Sequence, residues 1–182
     1  MRSSVFLGLA IVFGTAGITL AADQPPAGPP QPPAELGQLK DLQGKFKCTG
    51  QWFASAFGPA RPTTGTFKTK SELGGFWIAG QFNERKSKKN PNPGHVILTF
   101  GYDPTGKQFS ASVIDNFGGH AALTSAGWEG DTLTFTGTYV AGGQVLPYRD
   151  VYTRKAGELD HSGEVQGADG KWTPLNAEQC KR

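Results

Sequence analysis

Polar and apolar residues alternate along most of this chain, and the alternation has a period of two. Leu133, Phe135, Gly137 and Tyr139 share one parity, while Thr132, Thr134, Thr136 and Thr138 share the other. Phe76, Ile78, Gly80 and Phe82 repeat the pattern, as do Val96, Leu98, Phe100 and Tyr102. Successive side chains of a strand point to opposite faces, so this period in β-branched and aromatic residues predicts half-buried strands. Turn chemistry separates the runs at Gly74-Gly75, Asp103-Pro104-Thr105-Gly106, Glu129-Gly130-Asp131, Gly142-Gly143, Lys155-Ala156-Gly157 and Asp169-Gly170. The signals together predict about ten strands, near 45–55, 63–73, 76–84, 94–102, 107–115, 120–128, 131–140, 144–154, 158–166 and 171–180. Ahead of them Leu36, Leu39 and Leu42 stand three apart, which predicts one short helix over 35–42 that stops at Gly44.

A short helix followed by a strand meander is an all-β chain with two solutions, a closed antiparallel up-and-down barrel or a sandwich. Short hairpin connections favour the barrel. So do Cys48 and Cys180, the two cysteines of the chain, which lie near opposite ends of the strand-bearing region. Joined as a disulfide, they would make the first and last strands neighbours, as barrel closure requires. The same strand pattern also serves a sandwich.

Three segments differ in composition. Residues 1–21 read as a cleavable signal peptide: Arg2 precedes an apolar stretch, diluted by Gly8, Gly14 and Gly17, that ends at Thr19-Leu20-Ala21. Residues 22–34 carry Pro25, Pro26, Pro29, Pro30, Pro32 and Pro33 and read as a disordered, extended linker. Residues 35–182 then form one domain, with no second apolar run to span a membrane. The expected location is periplasmic or secreted, where a disulfide persists. A formal net charge of +3 over 182 residues is too near balance to imply nucleic acid. The local exception is Arg85-Lys86-Ser87-Lys88-Lys89, a basic loop suited to blunting a sheet edge or touching anionic envelope polymers.

Several stretches carry a resemblance to a known family. Gly44-Lys45-Phe46 after the leucine-bearing helix resembles the opening Gly-x-Trp element of lipocalin-like barrels, with Phe in place of Trp. The segments LGGFWIAGQF (73–82), GYDPTGKQFSASVIDNFG (101–118), WEGDTLTFTG (128–137) and RDVYTRKAGELDHSGEV (149–165) are similar to the bacterial family known as domain of unknown function 1579. The resemblance covers nearly all of 36–182 and implies a calycin-like (lipocalin-like) barrel, often exported in bacteria. It implies no activity.

A barrel of roughly ten strands is wider than one whose side chains just fill it, so it has room for an internal cavity, although alternation does not distinguish a hollow interior from a filled one. Alternation places Phe67, Phe76, Phe82, Phe100, Phe109, Phe135, Tyr139, Tyr148 and Tyr152 on the lumen face. Ionisable residues share that register: Asp115, Glu84, Asp150 and His161, with Arg149 and Arg154 as the nearest cations, although Arg149 alternates onto the face opposite Asp150. Strand ends at a wet mouth would account for Asp115 and Glu84. The expected ligand-binding set is Phe82, Phe100, Asp115, Phe135, Tyr139, Tyr148 and His161.

His95, His120 and His161 lack paired metal-ligand spacing, so no metal site is expected. His161 alone could offer a nitrogen to a haem iron, but a hydrogen-bonded core histidine is the simpler account, and no cofactor is expected. No Gly-x-Ser-x-Gly elbow occurs, and Ser110 and Ser112 have no base at a recognisable spacing. The chain is therefore expected not to be an enzyme. Three readings follow: a barrel binding a small apolar molecule in its lumen, an envelope-associated protein acting through its surface around a filled core, and an enzyme with an unrecognised lumenal site. A cavity on the order of several hundred Å3 would favour the first, and a packed interior the second.

Overall fold

A computed structural model describes residues 28–182. The expected signal peptide and the start of the proline-rich stretch lie outside the described residues. Eleven strands follow a 3-10 helix (Ala34–Leu42): β1 (Gly44–Trp52), β2 (Arg61–Glu72), β3 (Trp77–Glu84), β4 (His95–Asp103), β5 (Gln108–Asp115), β6 (His120–Ser125), β7 (Trp128–Glu129), β8 (Thr132–Ala141), β9 (Gln144–Lys155), β10 (Glu158–Gln166) and β11 (Trp172–Lys181). Each long strand pairs antiparallel with its neighbours in sequence, β1 pairs with β11, and β6 pairs with β8 across the two-residue β7. The result is a closed up-and-down barrel of ten strands, not a sandwich. Closure removes the exposed edges that an open sheet would leave.

Cys48 and Cys180 face each other in the β1–β11 register and form a disulfide, so the covalent bond pins the seam where the two chain ends of the barrel meet.

The helix differs from expectation in type. Leu36, Leu39 and Leu42 are all buried, and their spacing of three suits a 3-10 helix, in which residues i and i+3 stack directly. Nine residues is long for this conformation, and tertiary donors hold its carbonyls. Trp128 Nε1 donates to the Gln38 carbonyl at 2.9 Å, Thr69 Oγ1 donates to that of Leu42 at 2.5 Å, and Arg182 donates to those of Asp41 and Gln43. The helix thereby plugs the end of the barrel where β1 begins and β11 finishes. Leu39 and Leu42 join Phe46, Phe100, Leu133 and Phe135 in a core that excludes solvent.

Two strand boundaries also shift. Phe76 lies outside β3, in helical conformation at the close of a 3-10 turn (Leu73–Gly75), so it does not continue the lumen face of Ile78 and Phe82. The expected strand 120–128 breaks after Ser125, because Gly127 adopts φ +115°, which turns the chain before β7.

Candidate functional site

At the end away from the helix, the strands leave a cavity of about 100 Å3. Phe67, Phe82, Val96, Leu98 and Val113 supply its apolar wall, and Tyr139, Tyr148 and Tyr152 an aromatic one. Tyr139 and Tyr148 lie 5.3 Å apart between ring centres. The cavity therefore pairs a greasy wall with polar groups concentrated on three adjacent strands.

Those strands are β9, β10 and β11, whose inward positions meet by register. Gly163 sits between Asp150 and Asn176, and His161 between Tyr152 and Glu178. A Cβ at position 163 would come within 2.4 Å of the Tyr148 hydroxyl and 2.5 Å of Asn176 Oδ1. Glycine there makes room for the polar cluster. Tyr148 donates its hydroxyl to Asp150 Oδ1 at 2.6 Å, and His161 Nε2 lies 3.1 Å from the same oxygen. His161 Nδ1 lies 2.9 Å from Glu178 Oε2, to which Asn176 also donates at 2.8 Å. The imidazole is thus clamped between two carboxylates. Burial disfavours its charge, but hydrogen bonds and attraction from Asp150 and Glu178 outweigh that and hold its pKa up to about 10. Burial and then the nearby Asp150 charge push the Tyr148 and Tyr152 hydroxyls well above their ordinary range, so both remain donors.

Two further carboxylates stand at the mouth and are handled differently. Asp115, at the end of β5, accepts from the Tyr139 hydroxyl at 2.6 Å and from the backbone N–H groups of Phe117 and Gly119. Glu84, at the end of β3, is only 5% exposed, so a wet strand end does not explain it. It accepts from Trp52 Nε1 at 2.9 Å, from both Nη atoms of Arg61 at 2.8 and 3.0 Å, from Asn90 Nδ2 at 3.0 Å and from the Gly94 N–H at 2.6 Å. Burial pushes this carboxyl up, but the donors, Arg61 first, bring it below its ordinary value. The shell ties the 85–94 loop to the barrel mouth.

Of the seven ligand-binding candidates, Phe82, Asp115, Tyr139, Tyr148 and His161 line the cavity. Phe100 and Phe135 do not. They share the lumen face but lie further towards the plugged end, fully buried against each other at 5.5 Å and against Tyr152. Neither of the two nearest cations pairs with a lumen carboxylate, and for Arg149 the alternation already pointed outward. Arg149 points outward to Glu164 and stacks 4.6 Å over Trp172, while Arg154 binds Asp41 and Asp131 beside Trp128. His161, not an arginine, partners Asp150. Sequence reasoning missed Trp52, Asn176 and Glu178. The signal for the last two was Cys180: if its disulfide faces inward, period two carries Glu178 and Asn176 inward with it.

Both nitrogens of His161 are engaged by carboxylates, so neither presents a lone pair to an iron in the cavity. Among the described residues, no group of three or more His, Cys, Asp and Glu side chains is arranged to hold a metal ion, and no helix is long and apolar enough to cross a membrane.

The fold has a solved relative in the crystal structure of Rv2717c from M. tuberculosis. The two share 11% identity at a TM-score of 0.65, over 84% of this chain and 99% of that one. At that identity the likeness speaks for the barrel alone. No curated protein shows significant similarity to the chain. A family model does match, over residues 31–182, which span the whole barrel and its helix. The chain belongs to the protein of unknown function family DUF1579.

Proposed function

We propose that the protein is a non-enzymatic binding barrel that takes a small, mainly apolar molecule through its open end. The observation that carries this reading is the division of the lumen: one end is plugged and packed, while the other keeps a cavity walled by Phe82, Leu98, Val113 and tyrosines. Packed interiors rarely keep such voids, and apolar walls with a few placed polar groups are the usual composition of a ligand site. At about 100 Å3 the cavity is smaller than a lipid-sized ligand needs. A cavity of roughly 150 Å3 holds benzene, so the fitting molecule has about four or five heavy atoms inside, with any remainder projecting from the mouth. Binding is favoured over catalysis because His161, held protonated between Asp150 and Glu178, has no free nitrogen to act as a base. Export to an oxidising compartment is part of the proposal, supported by the disulfide and by the signal-like residues 1–21.

The test is titration with n-butanol, followed by NMR. Saturable shifts of the Phe82, Val113 and Tyr139 resonances are expected. Val113→Phe, which fills the cavity at a cost of about 1–3 kcal/mol, should abolish them without unfolding the barrel. Shifts that never saturate, or that survive the filled cavity, would remove the lumen from consideration.

A second reading has its own observation. Asn116 donates to the Pro93 carbonyl at 3.2 Å and accepts from the His95 N–H at 2.7 Å, which joins the β5–β6 turn to the 85–94 loop. Phe117, exposed in that turn, and the exposed basic run 85–89 thus belong to two linked loops. An apolar tip and a basic run on linked loops suit contact with anionic envelope polymers, and salt-sensitive co-sedimentation with them would support it.

A further inference from the structure

We propose that the lumenal ligand carries a cationic, hydrogen-bond-donating head, a small amine, and that carboxylate-headed molecules are excluded. This rests on the lumen as the binding site and specifies the chemistry it selects. The first ground is the charge inventory. Asp115, Asp150 and Glu178 line the cavity, and the one side chain there that can carry positive charge is His161. No lysine or arginine is among the lining residues. Arg61, whose guanidinium lies over the lining residue Trp52, is held bidentate by Glu84. Three carboxylates against one imidazole leave the site negative whether or not the imidazole is charged.

The second ground is which oxygens are used. Both hydrogen bonds to Asp150 fall on Oδ1, and both to Glu178 fall on Oε2. Glu178 Oε1 is buried without a partner. The two side chains are 4% and 3% exposed. A carboxylate has roughly four acceptor positions, and leaving a buried one unmet is costly. An ammonium brings three donors and no acceptor, so it suits a lining whose polar atoms are mostly carboxylate and phenol oxygens, whereas a second carboxylate adds acceptors and like charge. The third ground is the wall. Tyr139, Tyr148 and Tyr152 border the same space, and aromatic faces attract cations most when water is excluded. A lumen with this lining discriminates by charge even though its volume discriminates only by size.

The experiment compares n-butylamine, n-butanol and butyrate, which share a chain and differ in head group, on the purified chain with its disulfide intact. NMR titration should rank amine above alcohol by at least about tenfold, as expected for a desolvated charge pair, with butyrate weakest. Glu178→Gln should narrow the gap between amine and alcohol, and Asp150→Asn provides a second variant if the first does not fold. Equal affinity for amine and alcohol, or preference for butyrate, would overturn the charge inference and leave the lumen reading standing. If none of the three binds, the lumen reading fails and this inference falls with it. Should both variants fail to fold, the ranking on the wild-type chain decides.

Discussion

His161 is where opposing forces in the lumen meet, and its titration is the most direct measure of which one wins. Free histidine titrates near 6.5, and in the barrel Asp150 and Glu178 hold the value at about 10 against the pull of burial. A raised folded value contributes stability that is fully present below pH 6.5 and is lost as pH rises through about 10. Removing the imidazole strands two buried carboxylates, a change that typically costs about 3–5 kcal/mol. His161→Gln should therefore lower stability by about that amount at pH 6, and the gap to wild type should close as pH approaches 10. Urea unfolding of both proteins across that range checks it, and a gap independent of pH would show that the contacts are not charged. Glu84 acts on the opposite side: its lowered value contributes stability present above pH 4.5 and lost as pH falls below it. Asp150 and His161 were readable in the sequence as charges in an apolar register. Glu178 was harder to read, because Leu175 and Asn176 are both buried in β11 and break its alternation, which leaves Cys180 as the one signal that Glu178 faces inward.

Among the elements, the strands were the legible part and the connections the less legible one. Period two survives in every long strand except β11, so boundaries drawn from the sequence fall within a few residues of those observed. What escaped were backbone events that hydrophobicity does not encode: the turn at Gly127 that separates β6 from β7, the extra residue Leu175 in β11 opposite Gly163 and Glu164, and the 3-10 turn that removes Phe76 from β3. The leucine spacing pointed to a helix, but its 3-10 form depends on donors from Thr69, Trp128 and Arg182 that lie far away in sequence. Pairing of β1 with β11 is likewise a long-range fact, and the disulfide spans 132 residues to enforce it. Closing so long a loop reduces the entropy of the unfolded chain by an amount worth about 5 kcal/mol in the chain-entropy model. Titration of the unfolded, non-reduced protein should find no free thiol. The Cys48→Ser, Cys180→Ser double variant should lose up to about 5 kcal/mol of unfolding free energy. Two reactive thiols, or a double variant as stable as wild type, would mean that strand pairing alone holds the seam.

For the whole molecule, the decisive property is that one lumen face serves two purposes along its length. Alternation identifies which residues point inward, but it carries no information about whether the space they enter is filled. Phe82 and Phe100 are both inward aromatics on neighbouring strands, and from sequence they are equivalent candidates. The structure separates them by height in the barrel. Phe100 is fully buried against Phe135 and Tyr152 near the plug, while Phe82 is partly buried and lines the cavity. The helix at one end is what creates the asymmetry, because Leu36, Leu39 and Leu42 fill the lumen from below and leave the top to the tyrosines. The cost of truncation should follow this division. Phe100→Ala and Phe135→Ala each open a void in a packed core and should cost about 3–5 kcal/mol, with the top cavity's affinity for a small ligand little changed in the protein that remains folded. Phe82→Ala removes a ring that already borders empty space. It forfeits fewer contacts, so it should cost less than either core variant and act mainly on ligand affinity. Denaturant melts and butanol titrations of the three variants test the division directly. If Phe82→Ala proved as destabilising as Phe100→Ala, the upper lumen would be packed in solution, and the protein would act through its surface.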